Sequence, residues 1–256
     1  MAERTRWVGT SWKMNKTRAE GLAFARALGA APAPDGLQRF IAPPFTMIAE
    51  VAEVLAGTAV VVGAQNGHWE DAGAWTGEIS MAQVRDASAT LVEIGHSERR
   101  AHFGETDQTV GLKVAAALRH GLVPLVCIGE HAEDKEAGRA DEVLAREVTA
   151  AFGPVAGALE TVLLAYEPVW AIGEHGVPAE PTYANERHER IAEVARGIMG
   201  RDVPVLYGGS VNADNCGALI RQPHVDGLFI GRAAWEVDGY LDILARVSRA
   251  IEGVEP

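Results

Sequence analysis

An acidic side chain stands at Tyr166-Glu167-Pro168, directly after the apolar run Val162-Leu163-Leu164-Ala165. The run predicts a strand buried on both faces, so Glu167 sits where that strand stops. Pro168 fixes its own φ and pushes Glu167 out of the helical region, which holds the carboxylate on an extended backbone. Val169, Trp170, Ala171, Ile172 and Gly173 follow. An exposed loop of that composition is costly unless it closes over something. A carboxylate at a strand end beneath an apolar lid predicts a general base in a site that excludes water.

Other groups stand at matching positions. Lys13 follows a predicted strand over Trp7–Ser11, and His96 follows one over Thr90–Ile94. Taken singly, a surface lysine and a structural histidine explain them. A short helix over Ser97–His102 would place its N-terminus against His96 and keep the imidazole neutral. Gly208-Gly209-Ser210 is predicted to open the seventh helix, and Gly231-Arg232 the eighth. Two such turns side by side offer free backbone N–H groups as a phosphate grip. The set comprises a phosphate site, a cation, a carboxylate base and a neutral imidazole. It suits proton transfer α to a carbonyl, with Lys13 and His96 stabilising the enediolate. That chemistry needs no metal and no cofactor. Cys127 lies inside an apolar strand and reads as core.

The elements that must position these groups alternate regularly. Strands Gln38–Ala42, Ala59–Ala64, Leu122–Ile128, Pro204–Tyr207 and Asp226–Ile230 complete a set of eight with the three above. Helices are predicted from the Thr17 cap to about Leu28, closed by Gly29, and over Thr46–Leu55, Asn185–Met199, Asn212–Ile220 and Tyr240–Ile251, among others. Such β-then-α alternation over 256 residues, without linker or composition shift, predicts a single (β/α)₈ TIM barrel spanning residues 1–256. In a barrel every residue just after a strand faces one mouth, so Lys13, His96, Glu167, Ser210 and Gly231 are expected to meet there. A doubly wound sheet is disfavoured because no GxGxxG follows the first strand.

A net charge of −12 disfavours nucleic acid and anionic membrane surfaces as partners. Two cysteines give no disulfide framework, and a reducing cytoplasm fits best. No apolar run reaches the ~18 residues that a membrane span needs, and the N-terminus has no apolar signal segment.

The motifs SWKMN, GAQN, GAWTGEIS, LVEIGHSERRAHFGE, CIGE, AYEPVWAIG and LYGGSV occur in order along the chain. In that order and spacing the chain resembles the triosephosphate isomerase family over essentially its whole length. The resemblance implies Glu167 as the proton-shuttling base, His96 as the electrophile and Lys13 as the electrostatic anchor braced by Glu98. It implies a closing lid from Pro168 to Ala179, and phosphate contacts from Gly173, Ser210 and Gly231. It implies a homodimer through the loop Gln65 to Glu78, with Thr76 reaching toward the partner's Ser11 and Lys13.

The chain departs from the family pattern at three places. Ser11 replaces the usual Asn, Arg232 follows Gly231, and the lid is about one residue longer with Pro178 at its rear hinge. With GLFIGRAAW, this resembles the family's four-carbon branch, whose substrate is L-erythrulose 1-phosphate. That ketose is dihydroxyacetone phosphate with an extra hydroxymethyl on the carbon that loses its proton, so the catalytic groups stay while the site gains room at Ser11. The alternatives are the ordinary three-carbon isomerase and a catalytically silent sugar-phosphate sensor. Intact Lys13, His96 and Glu167 argue against the sensor.

Overall fold

Eight short strands run parallel, each hydrogen-bonded to its predecessor in the chain, and the last returns to pair with the first. They are β1 Arg6–Ser11, β2 Leu37–Ala42, β3 Val60–Ala64, β4 Leu91–Ile94, β5 Val123–Ile128, β6 Leu163–Tyr166, β7 Val205–Tyr207 and β8 Gly227–Ile230. The helices that carry the chain back are α1 Arg18–Ala30, α2 Ile48–Val54, α3 Met81–Asp86, α4 Ser97–Phe103 and α5 Asp107–Arg119. They continue with α6 Ala132–Glu136, α7 Ala140–Phe152, α8 Pro181–Met199, α9 Cys216–Ile220 and α10 Val237–Glu252. The computed structural model describes residues 5–173 and 176–253, so Glu174 and His175 of the lid lie outside the described residues. The closed (β/α)₈ barrel agrees with the expectation. No helix among the described residues is long and apolar enough to cross a membrane.

Closure divides the apolar side chains into two bodies. One lies between sheet and helices, with Trp12, Phe24, Phe152 and Tyr240 among its largest members. The other fills the lumen with Phe40, Leu91, Leu125, Cys127, Leu163, Ala165, Leu206 and Phe229. Alternation along each strand sends successive side chains to opposite bodies, so the lumen is a packed plug beneath the mouth.

Several boundaries differ from expectation for local reasons. Gly29 lies inside α1, which ends at an extended Ala31 instead. The helix expected over 46–55 starts as a 3₁₀ turn, Phe45–Met47, before α2. Helix α8 begins earlier than expected because Pro181 occupies its first turn, where a missing N–H costs nothing. The largest correction falls on Gly208-Gly209-Ser210, which does not open a helix. Asn212 Oδ1 accepts from the backbone N–H groups of Asp214 and Asn215 at 2.9 and 3.1 Å, and Asn215 Oδ1 from Asn212 N–H at 2.9 Å. These side chains offer the backbone a turn in place of a helix, so α9 begins only at Cys216.

Just beyond the ends of β5 and β6 the two backbones run close together. The Glu167 N–H donates to the Ile128 carbonyl at 2.7 Å, and a Cβ on Gly129 would lie 1.9 Å from the Glu167 carbonyl oxygen. Gly129→Ala must therefore push Glu167 out of place. We expect a loss of roughly 1–3 kcal/mol in unfolding free energy and more than ~10-fold in turnover, since small misplacements of a catalytic group are expensive. Denaturation and steady-state assays check this; a variant with unaltered stability and turnover contradicts the close approach.

Candidate active site

Strand β6 ends by delivering Glu167 into the mouth, 3% exposed, above the lumen plug. Its Oε2 has no hydrogen-bond partner among the described residues, and Cys127 of the lumen plug lies beneath it. Burial first, and the nearby Glu93 carboxyl second, push Glu167 up to about 8, against the pull of Lys13 and Cys127. Burial also pushes the Cys127 thiol well up, which keeps it a neutral donor.

His96 closes strand β4 and caps α4. The Glu98 N–H donates to His96 Nδ1 at 3.1 Å, so the single proton of the neutral ring sits on Nε2. Burial, reinforced by Lys13, pushes His96 down to about 4. Nε2 lies 3.7 Å from Glu167 Oε1. At that distance, and with a neutral imidazole, the two do not form an ion pair. They face each other across a gap, each open to a third molecule.

Lys13 follows β1 with φ 51°, a left-handed conformation uncommon for a lysine. Its backbone is held there: Gln65 Nε2 donates to the Lys13 carbonyl at 3.0 Å, and Trp235 Nε1 to the Ser11 carbonyl at 3.1 Å. Lys13 Nζ donates to Glu98 Oε1 at 2.7 Å, which aims the ammonium across the mouth. The turn that carries His96 rests on a buried network. Glu105 accepts from Gly95 N–H at 2.8 Å, Arg99 Nε at 2.9 Å and Lys113 Nζ at 2.6 Å, and Lys113 also reaches Asn66.

A cavity of about 430 Å³ joins these groups. Ser11, Lys13, His96, Glu98, Glu167, Ala171, Ile172, Gly173, Ser210, Gly231 and Arg232 all line it. Gly231 does not open the eighth helix as expected: it precedes a 3₁₀ turn, Arg232–Ala234, and α10 begins only at Val237, after an extended Glu236. Arg232 is exposed and has no ion pair among the described residues. Gly208 leaves room for the base, since a Cβ there would lie 2.7 Å from Glu167 Cγ.

Other expected residues lie off the cavity. Cys127 is below it, and Pro168, Val169 and Trp170 stand at the start of the segment expected to be a lid. Val169–Ala171 is a 3₁₀ turn, anchored where Glu130 accepts from Trp170 Nε1 at 3.0 Å, Tyr166 O–H at 3.0 Å and Tyr183 O–H at 3.1 Å. Thr76 is on an exposed loop away from the cavity. Sequence reasoning missed Glu130, Glu105 and Glu93. For Glu93 the signal was present: one acid inside the apolar strand Leu91–Ile94.

Moving a proton between neighbouring carbons is the chemistry that this geometry serves, and it makes the chain an isomerase. The family model for triosephosphate isomerase matches residues 6–247, and the chain belongs to that family. It is 63% identical to L-erythrulose-1-phosphate isomerase of Rhizobium etli, over 98% of this chain and 95% of that one. It is 62% identical to L-erythrulose-1-phosphate isomerase of Rhizobium meliloti, over 96% of this chain and 98% of that one. Among solved structures, triosephosphate isomerase from Bartonella henselae superposes with a TM-score of 0.85 at 34% identity, covering 96% of this chain and 99% of that one.

The raised Glu167 has a consequence for stability. Its carboxyl keeps a proton up to about pH 8 when folded, but releases it near ~4.3 when unfolded. The folded chain binds more protons between those values, so stability falls as pH rises through them. Glu167→Gln has no such proton to lose. Its advantage over wild type in unfolding free energy should grow between about pH 5 and pH 8, by at most ~1.4 kcal/mol per pH unit. Denaturant titrations at the two pH values measure it, and a difference that is constant or shrinks contradicts burial as the cause.

Proposed function

We propose that this chain, folded as one barrel domain, converts L-erythrulose 1-phosphate to D-erythrulose 4-phosphate through an enediol(ate). The observation that carries the reading is a buried, basic Glu167 opposite the Nε2–H of a neutral His96, with Ser11 in the same cavity wall. Glu167 takes the proton from C3, and the released electron pair moves toward the C2 carbonyl oxygen. His96 Nε2–H and the Lys13 ammonium stabilise the oxygen as its charge grows. His96 then moves a proton between the two oxygens, and Glu167 returns its proton to C2. A neutral imidazole suits this role because the oxygens of an enediolate need a donor that can be reprotonated within the site.

Glu98 holds Lys13 on target. The phosphate sits against the backbone at Gly209-Ser210 and Gly231, joined by Gly173 as the lid over 168–179 closes. Arg232 supplies a local cation, which a chain of net charge −12 needs to draw in a dianion. Ser11, shorter than Asn, leaves space for the fourth carbon. The reading needs no cofactor or metal, and it places the chain in the cytoplasm with no nucleic-acid or membrane partner.

The expected outcome is a kcat/KM for L-erythrulose 1-phosphate at least ~10-fold above that for dihydroxyacetone phosphate, the scale on which a pocket reads one carbon group. Ser11→Asn should erode the preference. Arg232→Gly should weaken both substrates if the guanidinium serves the phosphate, and only the longer one if it serves the added hydroxymethyl. Glu167→Gln should lose ~10²–10⁴-fold in turnover and in proton exchange with D₂O. Equal or better turnover of the three-carbon substrate by the unaltered chain would make it an ordinary triosephosphate isomerase, and absent exchange would favour a sensor.

The reading also includes a homodimer. The loop 65–78 is exposed from Asp71 to Glu78, with Trp75 at 47%. A concavity beside Lys13, lined by Met14, Asn15, Phe45 and Gln65, is rimmed by a 97% exposed Met14. A protruding aromatic loop and a hollow that exposes Met14 and Phe45 on one surface are complementary in a two-fold pair, which would bring Thr76 to the partner's mouth. Light scattering should give twice the chain mass at micromolar concentration; a stable, active monomer contradicts it.

A further inference from the structure

Strand β1 ends in a carbonyl that the sheet leaves without a donor. The register of β1 with β8 stops at Thr10 and Ile230, where β8 ends. The Trp12 N–H turns the other way, to the Ala42 carbonyl at the end of β2, at 3.1 Å. The Ser11 carbonyl therefore faces β8 at a point where β8 has no further rung to offer. Ser11 is 3% exposed, and a buried carbonyl without a partner is costly. Trp235 takes the vacant place: its indole Nε1 donates to the Ser11 carbonyl at 3.1 Å, across 224 residues of sequence.

The next two carbonyls are also held by side chains. Asn15 Nδ2 donates to the Trp12 carbonyl at 2.9 Å, and Gln65 Nε2 to the Lys13 carbonyl at 3.0 Å. The last of the three belongs to a lysine at φ 51°. That conformation is unfavourable for a residue with a Cβ and persists only where the surroundings impose it. Asn15 is part of the segment it bonds, so it cannot fix that segment to the barrel. Gln65 can, because it also donates to the Ala42 carbonyl at 2.9 Å and so ties Lys13 to the β2 side. Trp235 is the tie on the β8 side. Glu236, next to it, reaches Lys16 Nζ at 3.4 Å and fastens the same two segments a second time.

Trp235 also lines the cavity, together with Ser11, Lys13, Gly231 and Arg232. A Leu or Phe there could wall the cavity but has no N–H to give. We propose that Trp235 is a positioning residue for Lys13: its indole N–H pins the Ser11 carbonyl and so holds Ser11-Trp12-Lys13 in the turn that aims the ammonium across the mouth. This rests on the reading of Lys13 as the cation that stabilises the enediolate. It is independent of whether the substrate has three carbons or four.

The test removes the N–H and keeps the ring. Trp235 is replaced by benzothienylalanine, in which sulfur stands where the indole carries its N–H, so shape and packing are retained. Kinetics use whichever of L-erythrulose 1-phosphate and dihydroxyacetone phosphate the wild type turns over faster, and a crystal structure of the variant locates Lys13. The kcat should fall at least ~10-fold with KM within ~3-fold of wild type, because the ammonium meets a charge that grows in the transition state. In the crystal, Lys13 Nζ should have left hydrogen-bond reach of Glu98 Oε1. An unchanged kcat overturns the proposal. So does a loss confined to KM, or a fall in kcat with Lys13 still on Glu98. If the analogue yields no folded chain, Trp235→Phe also lacks the donor and is read by the same outcomes. Lys13→Ala separates the two claims and should lose at least ~10²-fold in kcat. Should it stay within ~3-fold of wild type, the reading of Lys13 and this inference fall together. A disabled Lys13→Ala beside a Trp235 variant with normal kcat refutes the inference alone.

Discussion

Taking a carboxyl and an imidazole out of water together reverses their usual order of basicity. Glu167 rises to about 8 and His96 falls to about 4, burial being the largest cause for each. The carboxyl becomes the stronger base, and the imidazole becomes a neutral donor that neither attracts nor repels it as an ion would. Without that reversal, a charged His96 beside an ionised Glu167 would collapse into an ion pair, and the 3.7 Å gap between them would close. Much of the remaining architecture serves to keep that gap dry and open.

The supports act at different depths. Beneath the gap, the lumen plug, Cys127 among its members, excludes water from below. Beside it, the backbone amide of Glu98 fixes the His96 tautomer, and the Glu105 network fixes the turn that carries His96. The 3₁₀ turn that follows Glu167 is tied to Glu130 through Trp170. The polar supports are buried with partners, and losing one partner leaves an unpaired group in a low-dielectric place. The unpaired Oε2 atoms of Glu93 and Glu167 are departures from that rule at the mouth.

The sequence made the barrel and the mouth legible because each group that lines the mouth follows an apolar run. Lys13, His96 and Glu167 are fixed by strand ends, and strand ends are visible as changes in hydrophobic period. What was misread depended on side chains bonding to nearby backbone. Asn212 and Asn215 replace a helical turn with their own hydrogen bonds, so the segment expected to open the seventh helix is a loop. What was missed depended on contacts distant in the chain. The acid in Leu91–Ile94 stands out in the sequence, but only closure of the ring shows that side of β4 to be the lumen. Glu130 likewise stands 40 residues from Trp170, whose indole it accepts from.

The protonation state of His96 in the folded chain tests the account most directly. Nitrogen-15 NMR of the histidine rings distinguishes imidazolium, the Nδ1–H form and the Nε2–H form, and a His96→Gln variant assigns the signal. The account predicts a neutral ring with its proton on Nε2, unchanged from about pH 5 to about pH 9. An imidazolium that titrates near its ordinary ~6.5, or a neutral ring carrying its proton on Nδ1, would contradict it.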